Sequence, residues 1–401
     1  MGWASWMTRP ARRLVARMLL PRFTRPRLVR TASFSDLRHV AVVHWDNLGD
    51  AVLLGPVLRE LRRALPEARI VLIHNARNAG VFAHCPYVDQ LIPQEVQGPP
   101  GPGKVHGDQI DSRSSVFEAA RLLRRVASDH GPIDLVVGPD WLNPVYTDSF
   151  FDSTLFRAGG GWRLLREAAR SGRSVRVEQR QHHVARNLDI LRALGAAPVD
   201  DQLELWTSDD EKETAARLVG NLTSPVVTVS PGAGAARRQW PAERMAEVAR
   251  QLVTDQRASV VLVGGPDARP LVDGSSLVDL PGATDLVGRT SVGELAAVLQ
   301  RSDLLIGNDS GPIHLAAAAG TPVVEVSMHP MDGEPWIVNS PNRYHPWRTP
   351  SVVLRPEGAV GDCMGAKTCR GPEPHCILGV GVGDVLRAAR LLLQSDRTVT
   401  S

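Results

Sequence analysis

Short apolar runs alternate with amphipathic runs along nearly the whole chain, and this alternation most narrows the fold. From residue 39, HVAVVHW reads as a buried strand and GDAVLLGPVLRELRRAL as a helix. ARIVLIH and DQLIP are further strands, SSVFEAARLLRRVASDH has apolar residues at helical spacing, and IDLVVGP is again a strand. A second block repeats the pattern. VVTVSPG, SVVLVGG, DLLIGND and PVVEV are its strands; PAERMAEVARQLV, TSVGELAAVLQ and GPIHLAAAAG are the helices between them. Strands that alternate with helices imply parallel sheets covered on both faces. Two doubly wound α/β domains are therefore expected, joined near residues 200–225, with VGDVLRAARLLLQS packing back as a last helix. The expected division is a basic arm over 1–37, a first Rossmann-like domain over 38–205, a second over 206–380, and a helix and tail over 381–401.

Composition excludes several classes. A length of 401 residues with 43% hydrophobic and 22% charged residues is ordinary for a globular protein. No run of 18 apolar residues suggests a membrane span. Only three Lys (Lys104, Lys212, Lys367) stand among the basic residues, a bias that reflects base composition rather than function. The formal charge of +3 includes eight Arg and no acid in residues 1–35, so the remainder carries −5. That body offers no nucleic-acid groove, and no nucleic-acid partner is expected. Four cysteines (Cys85, Cys363, Cys369, Cys376) are too few for a disulfide scaffold, so a reduced, cytoplasmic compartment is the default. Residues 97–115, rich in Gly and Pro, read as a long loop.

The arm, MGWASWMTRPARRLVARMLLPRFTRPRLVR, mixes Arg with Trp and Leu. Residues 11–20 could form a short basic amphipathic helix on an anionic membrane surface, giving a peripheral contact at the inner face of the cell membrane. A disordered extension, or a start placed too far upstream, is the plainer reading. A secretory signal is not expected, because Arg13 and Arg17 interrupt the apolar stretch.

In open parallel sheets ligands bind beyond the carboxyl ends of the strands. The informative residues lie there: Asp46 and Asp50 after the first strand, Pro231 to Arg238 after VVTVS, Gly264 to Asp267 after VVLV, and Asn308 to His314 after LLIG. SPGAGAARRQWP joins small residues to two Arg. Such a turn lets backbone N–H groups approach a phosphate while Arg supplies a forked charge, although a tight turn explains the glycines equally well. NDSGPIHLAAAAGTP is more specific, since Ser310 and Gly311 open a helix whose first N–H groups lack partners. The competing reading is structural, with Asp309 as an N-cap and His314 facing the core.

These segments together resemble glycosyltransferase family 9, the heptosyltransferase-like enzymes. The resemblance runs in order through LGDAVLLGP (with Gly49, Asp50 and Pro56), HHVARNLDILRALG from His182 to Gly195, SPGAGAARRQWP, GGPDARP, DSGPIHLA and CMGAKTCRGPEPHC, over about residues 38–395. It implies a GT-B architecture, two Rossmann-like domains with the active site in the cleft between them. It implies an inverting transfer of a heptose or similar sugar from a nucleotide-activated donor, ADP-heptose first, to a hydroxyl of a glycan, glycolipid or small molecule, with no required cofactor and no metal. In a cell that makes lipopolysaccharide the acceptor would be its core oligosaccharide.

The resemblance also implies roles for residues. Asp50 falls on the catalytic base, with an N-cap role as the structural alternative. Arg238, or else Arg237, falls on the donor phosphates. Ser310, Gly311 and His314 fall on the pyrophosphate turn, with Asp309 as its supporting acid. Asp267 falls on the ribose, and Gly234 and Ala235 on backbone contacts. His44 and Asn47 lie on the acceptor side. Asp46 departs from the family pattern; as a second acid it would bind an acceptor hydroxyl, tune Asp50 upward by repulsion, or cap the turn. A transferase using a UDP- or GDP-sugar, or a non-catalytic nucleotide-sugar-binding protein, fits the same chain; a dinucleotide oxidoreductase does not, for want of G-x-G-x-x-G. Cys363, Cys369 and Cys376, with His375, could hold a metal, but their spacings are not those of a zinc ribbon, and free structural cysteines are the plainer reading.

Overall fold

The computed structural model describes residues 35, 37–44, 47–95, 125–129, 131, 133–137, 155–158, 161–164, 180–337, 340–364, 371 and 373–395. The basic arm but for its last residues, Asp46, the loop at 97–115 and Cys369 lie outside the described residues. So does the helix expected at SSVFEAARLLRRVASDH, except for 125–129, which are helical.

Two six-stranded sheets organise the rest. The first contains β1 (His39–His44), β2 (Arg69–Asn75), β3 (Gln90–Gln94), β4 (Leu135–Val137), β5 (Leu155–Ala158) and β6 (Gly161–Leu164), in the order β3-β2-β1-β4-β5-β6. The second contains β7 (Val226–Ser230), β8 (Ser259–Leu262), β9 (Thr284–Asp285), β10 (Leu304–Asn308), β11 (Val323–Val326) and β12 (Ser351–Leu354), in the order β12-β11-β10-β7-β8-β9. The second sheet is parallel throughout. Its strands read as unbroken apolar runs because both faces are covered. The first sheet is parallel from β3 to β4, but β4, β5 and β6 pair antiparallel. The alternating pattern did not announce that hairpin. LFRA and GWRL are each a single short segment, below the length at which periodicity is legible.

Both sheets have the doubly wound order, and each reverses beside its first strand. That reversal lies between β1 and β4 in one sheet and between β7 and β10 in the other. The chain leaving β1 and the chains leaving β7 and β10 therefore border the crevices where such folds bind ligands.

The run expected as one helix after β1 is two. α1 (Leu48–Leu53) ends at Leu54, and α2 (Gly55–Ala64) starts anew with Pro56 in its first turn, where the missing N–H of proline costs no hydrogen bond. Other helices that matter below are α3 (His183–Leu194), α4 (Val292–Leu299), α5 (Gly311–Ala319), α6 (Pro341–Tyr344) and α7 (Val382–Ser395). α7 packs on the second sheet, sharing one apolar cluster with Trp240 and the strands β7, β8, β10 and β11. Among the described residues no helix is long and apolar enough to cross a membrane.

The sheets are joined where α1 meets α5. A Cβ on Gly49 would lie 2.5 Å from His314 Cδ2, and one on Gly311 would lie 2.7 Å from Leu48 Cδ2. Each helix thus presents a glycine to a side chain of the other, and the apolar interior continues from Leu53 and Leu58 to Ile313 and Leu315. Gly311→Ala is expected to destabilise the fold by about 1–3 kcal/mol through overpacking. Leu48→Ala, which removes Cγ and Cδ2 from that space but leaves the Leu48 Cβ position 2.9 Å away, should return part of the loss in the double variant. Strictly additive losses in urea unfolding would show that the two side chains do not compete for one volume.

Candidate functional site

On the first sheet, β1 delivers His44 and then Asn47, which is the N-cap of α1 through its backbone; its side chain makes no capping bond. Asp50 is therefore not the N-cap. It is the third residue of the helix, inside the positive first turn, where a carboxylate is favoured. Its side chain keeps 23% exposure, and its Oδ1 lies 4.0 Å from His183 Nε2. His44 is buried. Burial pushes its imidazole down to about 4 against the pull of Asp50's charge. His183 is also buried and held well below the ordinary histidine range, first by burial and then by the charge of Arg186. Both imidazoles are thus neutral at neutral pH.

On the second sheet, the loop after β7 carries Gly234 and Ala235 and then a single 3-10 turn, Ala236–Arg238. Arg237 is buried, whereas Arg238 faces the end of β10, with Nη1 3.6 Å from Asp309 Oδ2. Between the two arginines, Arg238 is the one that meets the acid. Burial pushes the Asp309 carboxyl up while Arg238 and His329 pull it down. Neighbouring Glu325, on β11, is also buried and is raised well above its ordinary value by burial and by Asp309. Ser310, not Asp309, is the N-cap of α5, and its Oγ donates to Asn308 O at 3.1 Å. The capping alternative for Asp309 is thereby set aside. His314 is buried against α1, and burial pushes it down to about 4, so it sits at the seam as a neutral ring. Asp267 is exposed in the 3-10 turn Pro266–Ala268 after β8.

Asn308 is the fastening that sequence reading treated only as the start of a stretch. Its Oδ1 accepts from Trp240 N at 3.0 Å and its Nδ2 donates to Pro231 O at 2.8 Å. One amide side chain so ties both ends of the loop that holds Gly234 to Arg238. Trp240 is itself fixed, donating from Nε1 to Val380 O at 3.0 Å. A fully buried Asn at a strand end was the available signal, since a buried amide needs partners.

Behind that loop, Cys363, His375 and Cys376 bring their ligand atoms within 4.8 Å of one another, with Cys363 Sγ 2.8 Å from His375 Nε2. Two thiols and an imidazole could hold one soft divalent ion. Of the four residues that the sequence offered as a possible metal set, these three are brought together; Cys369 lies outside the described residues.

Residues 157–328 match the profile of glycosyltransferase family 9 (heptosyltransferase). Among curated proteins, the lipopolysaccharide core heptosyltransferase OpsX of Haemophilus influenzae is 28% identical over 133 residues. That match covers 33% of this chain and 38% of the relative. Lipopolysaccharide heptosyltransferase 3 of Escherichia coli is 24% identical over 286 residues, 69% of this chain and 79% of the relative. Among solved structures, a glycosyltransferase family 9 protein of Veillonella parvula superposes with a TM-score of 0.65 at 20% identity, covering 92% of this chain and 99% of that one. The ADP-heptose lipopolysaccharide heptosyltransferase II of Escherichia coli follows with a TM-score of 0.59 at 18% identity, covering 90% and 99%. The fold is GT-B.

The neutral histidines make stability depend on pH. For His44 the folded value is about 4 and the ordinary value 6.5. Between the two, the unfolded chain binds a proton that the folded chain refuses, so this contribution is present above 6.5 and is lost on acidification toward 4. Asp309 and Glu325, both raised, carry the opposite sign, so the test must isolate one group. The stability advantage of the wild type over His44→Gln is expected to shrink as the pH falls from about 7 to about 5. Urea midpoints that keep a constant gap across that window would contradict the assignment.

Proposed function

We propose that this chain, similar to the heptosyltransferase-like proteins of glycosyltransferase family 9, moves a heptose or a similar sugar from a nucleotide-activated donor, ADP-heptose first, to a hydroxyl of a glycan, glycolipid or small-molecule acceptor. The transfer inverts the anomeric centre, and the chemical step runs without a metal.

One observation carries this reading. The helix that bears Asp50 and the helix that opens on Ser310 and Gly311 pack on each other at their first turns, Leu48 against Gly311 and Gly49 against His314. On this reading the base and the anion-binding helix start stand side by side. Asp50 takes the proton of the acceptor hydroxyl as that oxygen bonds to the anomeric carbon. The bond from that carbon to the donor phosphate breaks, and its electron pair leaves with the nucleoside diphosphate. Arg238 and the N–H groups at the start of α5 take up the charge that develops there. Gly234 and Ala235 give the diphosphate a backbone surface, and Asp267 takes the ribose hydroxyls. His44 and Asn47 line the acceptor side. A peripheral contact of residues 1–37 with an anionic membrane surface would suit a lipid-linked acceptor.

Calorimetry with ADP, UDP and GDP tests the donor. ADP is expected to bind best, and Arg238→Ala should weaken it about tenfold, the worth of one charge-assisted contact. Preference for UDP or GDP would overturn the adenine assignment, and binding of none would overturn the donor site. Asp50→Asn should lower kcat by about 10²- to 10⁴-fold with ADP affinity unchanged. Full turnover in that variant would remove Asp50 as the base.

A further inference from the structure

We infer that His183 is a positioning residue for Asp50, holding one carboxylate oxygen so that the other faces the acceptor hydroxyl, and that residues from the nucleotide-side sheet set its orientation. The inference rests on the reading of Asp50 as the base.

The geometry begins with the contact itself. His183 Nε2 lies 4.0 Å from Asp50 Oδ1, and the His183 side chain is 3% exposed. A buried ring so close to the carboxylate has few alternative positions. Its backbone is fixed as well, because His183 is the first residue of α3 and follows the N-cap His182. His182 Nδ1 accepts from Val184 N at 3.2 Å, which leaves its Nε2 to donate to His345 O at 3.0 Å. The His182 ring lies flat on Trp347, with centroids 4.2 Å apart and planes 19° apart. The His183 ring lies on Tyr344, with centroids 4.9 Å apart at 28°. Tyr344, His345 and Trp347 belong to the connection between β11 and β12. The paired histidines of one sheet are therefore plugged into an aromatic seat supplied by the other.

A neutral imidazole suits this task better than a cation. Lys or Arg at the same place would hold the carboxylate but draw its pKa down and weaken it as a base. An imidazole N–H turned toward Oδ1 orients the group at far less cost to its basicity. The distance is longer than a formed hydrogen bond, and catalytic contacts of this kind tighten when the reacting complex assembles.

The test is steady-state kinetics of the full chain with the nucleotide sugar its donor profile selects. His183→Phe keeps a ring on Tyr344 and removes the N–H; His183→Gln restores a donor near the same point. Tyr344→Leu unseats the ring without touching Asp50. His183→Phe is expected to lower kcat by about 10- to 100-fold, the effect of a small misplacement of the reacting groups. Donor KM and melting temperature should stay near wild type, and His183→Gln should recover most of the loss. If His183→Phe does not fold, Tyr344→Leu and His183→Gln decide, with kcat lowered in the first and close to wild type in the second. A kcat in His183→Phe within twofold of wild type, a His183→Gln no better than His183→Phe, or losses confined to KM or melting temperature would overturn the inference. Asp50→Asn is the control that separates the two claims. Turnover that survives it overturns the base and this inference together, whereas its loss beside an active His183→Phe overturns this inference alone.

Discussion

The contact between two helix starts is the constraint on which the remaining geometry depends. Gly49 admits His314, and Gly311 admits Leu48, so α1 and α5 approach at their first turns rather than along their lengths. Any side chain at either glycine would push the turns apart. The spacing has a chemical consequence. Asp50 follows Gly49 directly, and Ser310 precedes Gly311 directly, so the closeness that packing demands is also the closeness between an acid and an anion site. The topology supplies the rest, because β1, β7 and β10 each end beside the point where their sheet reverses.

Charge is distributed unevenly across that seam. On the second sheet an arginine, two buried acids and a helix start are concentrated around the ends of β10 and β11. Burial raises both carboxyls while Arg238 pulls each of them down. On the other side Asp50 faces imidazoles that burial keeps neutral. The division matches the proposed transfer, in which negative charge is attracted where the leaving group forms and basicity is preserved where the proton is taken.

Much of this was legible in the residues. Alternating apolar and amphipathic runs placed β1, β2, β7, β8, β10 and β11, and strand ends pointed to Asp50, Arg238, Asp309 and Ser310. Local chemistry carried that far because each of these residues sits beside its own strand or helix. What escaped is nonlocal. Asn308 matters through Trp240 and Pro231, and His183 through Asp50 and Tyr344, which are partners far along the chain. No periodicity encodes such meetings. The segment HHVARNLDILRALG was marked by resemblance, but what its two histidines touch became visible only with both sheets in place. Cys363, His375 and Cys376 were grouped as possible metal ligands from the sequence, but their spacing favoured free cysteines; that their ligand atoms lie together is a fact of the fold.

The seat of His182 and His183 also bears on how the two halves are joined. Rings stacked on Tyr344 and Trp347, and the bond from Trp347 Nε1 to Asp201 O at 2.8 Å, fasten the start of α3 and the following chain to the nucleotide-side segment 344–347. His183 is thus held from both halves, by its ring on Tyr344 and by the packing of α3 on α2 within one apolar cluster.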